Sequence, residues 1–142
     1  MPNPPKWFMP ACVAALLWNI AGLGAVLADL GLSEADLAAL PEAQRALYEA
    51  RPGWSVIASL VAVCGGTLGA LGLVLRRRWT LPLLVASLAG LLVQDVALFV
   101  VVGAAHALGS TAYLVQGTVL VVAVALLVLA RRAGARGWLR PT

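Results

Sequence analysis

Four long apolar stretches, separated by short polar segments, dominate the pattern along the chain. They cover about residues 7–28, 54–75, 79–102 and 110–130. A helix needs about 20 mostly apolar residues to cross the hydrocarbon core of a bilayer, and each stretch reaches this length. Backbone groups in lipid must be hydrogen-bonded within their own segment, so each stretch is predicted to be a helix. The pattern predicts an all-α membrane protein built as a four-transmembrane-helix bundle.

Little of the chain lies outside these stretches. Of its 142 residues, 62% are hydrophobic, and the mean hydropathy is +0.95. Soluble domains contain about half apolar residues, so residues 1–142 are predicted to form one transmembrane domain. A cleaved signal peptide is a competing interpretation of the first stretch, because Lys6 precedes it and Val26–Ala28 resembles a cleavage site. Trp18 and Asn19 interrupt the stretch and favour a retained helix.

Charged residues are distributed unevenly around the predicted spans. The 29–53 connection holds five of the six acidic residues. Most basic residues instead lie before span one, between spans two and three, or after span four: Lys6, Arg76, Arg77, Arg78, Arg131, Arg132, Arg136 and Arg140. Positively charged loops stay on the cytoplasmic side, so both termini are predicted to be cytoplasmic in a multi-pass protein of the cell inner membrane. The 29–53 connection and the 103–109 loop are then on the outer side.

The arginines lie next to the ends of spans, where they would meet lipid headgroups rather than nucleic acid. We expect anionic headgroups at Arg76, Arg77, Arg78, Arg131 and Arg132. The segment 131–140, which includes Trp138, is expected to lie along the inner membrane surface. A second copy of the chain and another membrane protein are the alternatives for a protein partner.

The outer connection contains signals for two short helices. Ser33 followed by Asp36 resembles a helix N-cap with an acidic residue three positions later. Pro41 suits a first helical turn and not a helix interior, so it divides the segment into two helices. Three interpretations stay open: an amphipathic segment on the outer membrane surface, a lid over a cavity, and a docking surface for another protein.

Four residues with amide or carboxyl side chains fall inside the predicted spans: Asn19, Gln94, Asp95 and Gln116. Helical rise places Gln94, Asp95 and Gln116 within roughly one turn of each other in depth. A carboxylate near the bilayer centre costs about 3 kcal/mol, so Asp95 should face the bundle or water. The spacing predicts an intramembrane polar pocket that opens outward, although the same residues could serve only to hold helices together.

Small residues indicate where helices approach closely. Gly65 and Gly69 are four positions apart in span two, and Gly90 lies in span three. Such spacing favours tight packing of the bundle, and a dimer interface through Gly65 and Gly69 is the alternative. The surrounding glycine-rich run lies inside an apolar helix with no strand before it, so it is not a phosphate-binding loop.

The remaining chemistry-bearing residues do not form a recognisable active site. Cys12 and Cys64 differ in depth by about 10 Å, which is too far for a disulfide. His106 and Asp95 lack a third ligand for a metal site. We therefore expect no catalytic residues, no metal, no cofactor and no enzymatic activity.

Three runs carry a resemblance: Ala15–Asn19, Leu40–Ala50 and Gly65–Trp79. They resemble an uncharacterised family of small four-span bacterial membrane proteins, whose members are sometimes labelled sugar transporters. The similarity runs over most of the chain. It implies a transport role and assigns no role to any residue.

Two functions follow from these expectations. The first is a non-enzymatic accessory or interaction role in a membrane assembly, which we place first because four short spans rarely make a complete transporter. The second is the binding or transport of a small polar solute, possibly a sugar, through an outward-facing pocket around Asp95. The deciding observation is whether the space beside Asp95 is hollow or tightly packed.

Overall fold

A computed structural model describes residues 2–141 of the chain, which are about 80% helical. Four helices are long and apolar enough to cross a membrane, so the predicted all-α four-helix architecture is confirmed. A π-helical turn, Ala97–Val101, extends α5, and the third span therefore runs from Thr80 to Val101. The α-helices are α1 (Phe8–Leu30), α2 (Glu34–Ala39), α3 (Glu42–Ala50), α4 (Gly53–Val74), α5 (Thr80–Val96), α6 (Ala104–Leu108) and α7 (Ser110–Ala135).

Helix α4 lies at the centre of the bundle. It packs between α1 and α5, and α5 in turn packs against α7. The α4 span is 44% buried, whereas the α1 and α7 spans are each only 11% buried. Helices α1 and α7 therefore provide most of the surface that would face lipid.

Glycines explain the close contact between α4 and α5. A Cβ atom at Gly65 would lie 3.0 Å from the carbonyl oxygen of Leu83. A Cβ atom at Gly69 would lie 2.6 Å from Leu84 Cδ2, so no larger residue fits there without movement. Because α5 covers both glycines, this face of α4 is not free to bind a second copy of the chain.

Hydroxyl groups add hydrogen bonds between the tightly packed spans. Ser87 Oγ on α5 donates to the carbonyl oxygen of Ala62 on α4, at 2.6 Å. Thr80 donates similarly to the carbonyl oxygen of Gly69. Small polar side chains of this kind hold membrane helices together, because lipid offers no competing partner.

The chain segment after α7 folds back into the bundle. Gly137, with φ of +69°, turns the chain in a conformation that favours glycine. Trp138 and Leu139 are then buried against Phe8 and Cys12 at the start of α1. The expectation that this segment lies along the membrane surface is therefore wrong for Trp138 and Leu139. Their apolar side chains gain more contact inside the bundle than at the headgroups.

Hydrogen bonds fix this segment to the turn between α4 and α5. Arg76 Nε donates to the carbonyl oxygen of Trp138 at 2.8 Å, and the Arg140 amide donates to the carbonyl oxygen of Arg76. We call this the basic end, because it carries Lys6, the turn Arg76–Arg78 and the arginines that follow Ala130.

The opposite end, which we call the acidic end, carries the connection predicted to contain two short helices. Ser33 and Asp36 form a complete capping box at the start of α2, as the sequence predicts. The hydrogen bond from Ser33 to the Asp36 carboxylate holds the pKa of that group below its usual value. Pro41 stands at the N-cap of α3 and separates it from α2, so this prediction is also confirmed.

Candidate functional site

Two cavities lie between the helices. The outer chamber, of about 370 Å³, lies at the acidic end beneath α3. The membrane chamber, of about 410 Å³, lies between the four spans. Val26, Gln94 and Gln116 line both chambers. The two chambers therefore adjoin at these residues, and we call them together the cleft, which extends from beneath α3 into the middle of the bundle.

Gln94 and Gln116 are the polar groups at the junction of the chambers. Each projects from a different span, α5 and α7. Within residues 2–141, neither side chain forms a hydrogen bond to the protein. Each amide therefore offers both donors and an acceptor to a molecule in the cleft.

Asn19 lines the membrane chamber but is already partly engaged. Its Nδ2 donates to the carbonyl oxygen of Ala15 at 2.8 Å. Its Oδ1 lies so close to Gly66 that a Cβ atom there would collide with it. Thr67 also donates to the Asn19 carbonyl oxygen, at 3.2 Å. These contacts position Asn19 mainly as a link between α1 and α4.

A cluster of three side chains lines the acidic end of the cleft. Arg51 binds the carboxylate of Asp29 with an N–O distance of 2.6 Å. The Tyr48 hydroxyl donates to the other carboxylate oxygen of Asp29. The Arg51 guanidinium also lies 5.1 Å from the centroid of the Tyr48 ring. We call Asp29, Tyr48 and Arg51 the latch, because they tie α3 to the end of α1.

The latch shifts the pKa of Tyr48. The hydrogen bond to Asp29 raises the pKa of Tyr48 above its usual value, since the donating, protonated form is favoured. Gln44, Leu47 and Tyr48 of α3 line the outer chamber. Helix α3 therefore covers the outer chamber, in agreement with the lid interpretation, and the other two interpretations stay predictions.

Asp95 lies beside the cleft and does not line either chamber. One helical residue corresponds to about 100° of rotation, so the side chains of Asp95 and Gln94 leave α5 in different directions. Phe99, one turn further on the same face, stacks on Tyr113 of α7 with ring centroids 4.7 Å apart. Among residues 2–141, Asp95 Oδ1 is the one buried side-chain oxygen without a hydrogen-bond partner. The structure therefore brings Asn19, Gln94 and Gln116 to the cleft, and a place for Asp95 in the predicted pocket stays a prediction.

A π-helical turn begins two residues after Asp95, at Ala97. The Val102 amide donates to the carbonyl oxygen of Ala97 at 2.9 Å, five residues back. Ala97, Leu98 and Val102 all line the outer chamber. Such turns are often found at functional sites, because they displace a helix from its regular path. The apolar sequence of this segment gives no signal for it.

The cleft opens sideways between α1 and α7. In the described chain, the buried residues of α1 are Phe8 and Cys12, both near the basic end. Toward the acidic end, Trp18, Ala21 and Ala25 line the membrane chamber and are also exposed. The rim of the chamber therefore lies on the outer surface of the bundle.

The other chemistry-bearing residues lie away from the cleft. Cys64 is exposed on α4, and His106 is exposed on α6. No group of three metal-ligating side chains occurs among residues 2–141.

Comparison with protein-family models, with curated proteins and with solved structures found no match. The resemblance to a four-span bacterial family stays a prediction. The cleft is the feature of the structure that bears on function.

Proposed function

We propose that this membrane protein binds a small, uncharged polar solute in its cleft, without chemical conversion of that solute. The observation that carries the proposal is the pair of amides, Gln94 and Gln116, which are free of protein partners at the junction of two chambers. Each chamber has a volume typical of small-molecule sites, which combine apolar walls with a few polar groups.

The chemistry of the cleft favours an uncharged ligand. Asp29 and Arg51 neutralise each other in the latch, so no unpaired charge lines the outer chamber. Hydroxyl groups of a ligand can both donate to and accept from the amides of Gln94 and Gln116. A sugar or a similar polyol fits this combination of size and hydrogen bonding.

The charge distribution supports an orientation for the site. We propose that the basic end is cytoplasmic in a bacterial inner membrane, where its arginines contact anionic lipid headgroups. The lid and the outer chamber then face outward. Opening of the latch would admit the solute to Gln94 and Gln116, and closing it would separate the solute from bulk water.

Binding of glucosides to the purified protein in lipid nanodiscs tests the proposal. Methyl glucoside should bind, and Gln94→Leu and Gln116→Leu should each weaken binding about tenfold, the value for one or two lost hydrogen bonds. Thr118→Val is the matched control on α7, because Thr118 is exposed and donates to Leu114 in its own helix. The proposal is wrong if methyl glucoside does not bind, or if both glutamine variants bind it like the parent protein.

An accessory role in a membrane assembly stays a prediction. Its measurement is co-purification of a partner in stoichiometric amount under mild detergent. The cleft gives the solute-binding role the stronger support, because an accessory protein that only packs against a partner needs no adjoining cavities between its own helices.

A further inference from the structure

The membrane chamber differs in character from the junction above it. From Gln116 toward the basic end, its α7 wall continues through Val119, Val122 and Leu126. This wall spans about 15 Å along the helix axis, from ten residues at 1.5 Å each. Leu84 and Leu91 of α5 line the same space. Asn19 and Ser87 also line this chamber, but Asn19 Nδ2 and Ser87 Oγ donate to backbone carbonyl oxygens, so the walls below the junction are mainly apolar.

These apolar walls offer few hydrogen-bond partners to a wholly polar solute. A sugar held at Gln94 and Gln116 would leave the lower chamber to water, which binds poorly where few polar partners are available. An alkyl chain would instead contact these walls, and it would do so without losing hydrogen bonds. The shape and polarity of the cleft match a molecule with one polar head and one chain.

The sideways opening supplies a route for such a molecule. Trp18, Ala21 and Ala25 form an exposed rim on α1, on the surface that would face lipid. Gly22 lies on this wall, and a Cβ atom there would meet no atom within 4 Å. A chain can therefore pass from the bilayer into the chamber between α1 and α7 without crossing water.

We infer that the ligand is a single-chain amphiphile taken from the bilayer, with its uncharged head at Gln94 and Gln116 and its chain in the membrane chamber. This inference rests on the proposed function and adds the class of the ligand and its route of entry. Helix α3 and the latch then cover the head and not the chain.

A pair of glycine variants tests the chain site. Gly22 and Gly24 are both on α1, and a Cβ atom at either would meet open space, so leucine fits at both positions. Gly22 lines the membrane chamber, whereas Gly24 does not. Gly22→Leu should therefore fill the chain site, and Gly24→Leu is the control with the same added volume and hydrophobicity.

The assay compares octyl glucoside with methyl glucoside in nanodiscs of one lipid composition. The parent protein should bind octyl glucoside at least about tenfold more tightly, because the chain is buried. Gly22→Leu should abolish this preference and leave the affinity for methyl glucoside within about twofold, while Gly24→Leu should behave as the parent protein does. Octyl glucoside partitions into the lipid of the nanodiscs equally for all three proteins. Partition therefore cannot produce a difference in binding between the parent protein and the two variants.

The outcomes separate this inference from the function on which it rests. Equal binding of both glucosides by the parent protein, or an equal loss of preference in both glycine variants, overturns the chain site. If methyl glucoside binding still depends on Gln94, the proposed function survives that result. If neither glucoside depends on Gln94 and Gln116, the proposed function itself fails.

Discussion

Replacement of Gly90 by alanine tests whether the contact between α4 and α5 sets the stability of the bundle. The added Cβ atom would lie 2.7 Å from the carbonyl oxygen of Ala58 and 2.9 Å from the amide nitrogen of Ala62. Ordinary carbon–oxygen contacts in helix packing are about 3.3–3.6 Å, so the shortfall is at least about 0.6 Å. Both opposing atoms belong to the backbone of α4, and neither can move by a rotamer change.

The two spans must therefore separate locally, which also strains the Ser87 hydrogen bond to Ala62 one turn away. Overpacking of this kind costs about 1–3 kcal/mol, and we expect Gly90→Ala to destabilise the fold by that amount. Gly24→Ala is the matched control, because a Cβ atom there meets no atom within 4 Å. Its helix propensity alone should make it neutral or stabilising by up to about 1 kcal/mol.

The measurement is reversible unfolding of both variants in mixed detergent micelles, followed by far-ultraviolet circular dichroism. Gly90→Ala should unfold at a lower denaturant fraction than the parent protein, and Gly24→Ala should not. If Gly90→Ala is as stable as Gly24→Ala, the close approach of α4 and α5 does not limit stability, and the packing argument is refuted.

Two further predictions concern the ends of the bundle. Leu139→Ala should destabilise the protein by about 2–4 kcal/mol, because Leu139 is fully buried, while Leu114→Ala at a 70% exposed position should have little effect in the same unfolding assay. The latch should weaken as pH rises above the usual tyrosine pKa of 10.0, since the pKa of Tyr48 is raised and only its protonated form donates to Asp29. The fluorescence of an environment-sensitive dye on Gln44→Cys should change with pH as the latch opens. The variant Tyr48→Phe should lack this pH-dependent change in fluorescence. If the change persists in Tyr48→Phe, a group other than Tyr48 causes it.

The four spans and the two outer helices could be predicted because their signals are local. Apolar length decides whether a helix can cross a bilayer, and Ser33, Asp36 and Pro41 determine helix ends through contacts within a few residues. The observed spans Phe8–Leu30 and Ser110–Ala135 end two and five residues after the predicted C-terminal limits. Polar residues can continue a helix beyond the apolar core of the bilayer.

The position of Asp95 could not be predicted for a geometrical reason. Helical rise gives the depth of a residue, but its direction depends on which neighbours surround the helix. Gln94 and Asp95 have nearly the same depth, yet only Gln94 lines the cleft.

The sequence pattern does not predict the latch, for a related reason. Asp29 and Arg51 are separated by the whole outer connection, and each counts in the sequence only as one charge among several. Their pairing depends on α1 and α4 lying side by side, which brings the end of one next to the start of the other. Local patterns contain no information on such a contact.

The segment after α7 bears on whether a solute could pass from the cleft to the basic end. Trp138 and Leu139 occupy the basic end, where they are buried with Phe8 and Cys12. This buried cluster reaches the walls of the membrane chamber, so packed side chains separate the cleft from the basic end. Passage across the membrane would require these two side chains to withdraw while the four spans stay in place. The difference between a binding protein and a transporter would then depend on this short C-terminal segment, which can be reached from the basic end alone.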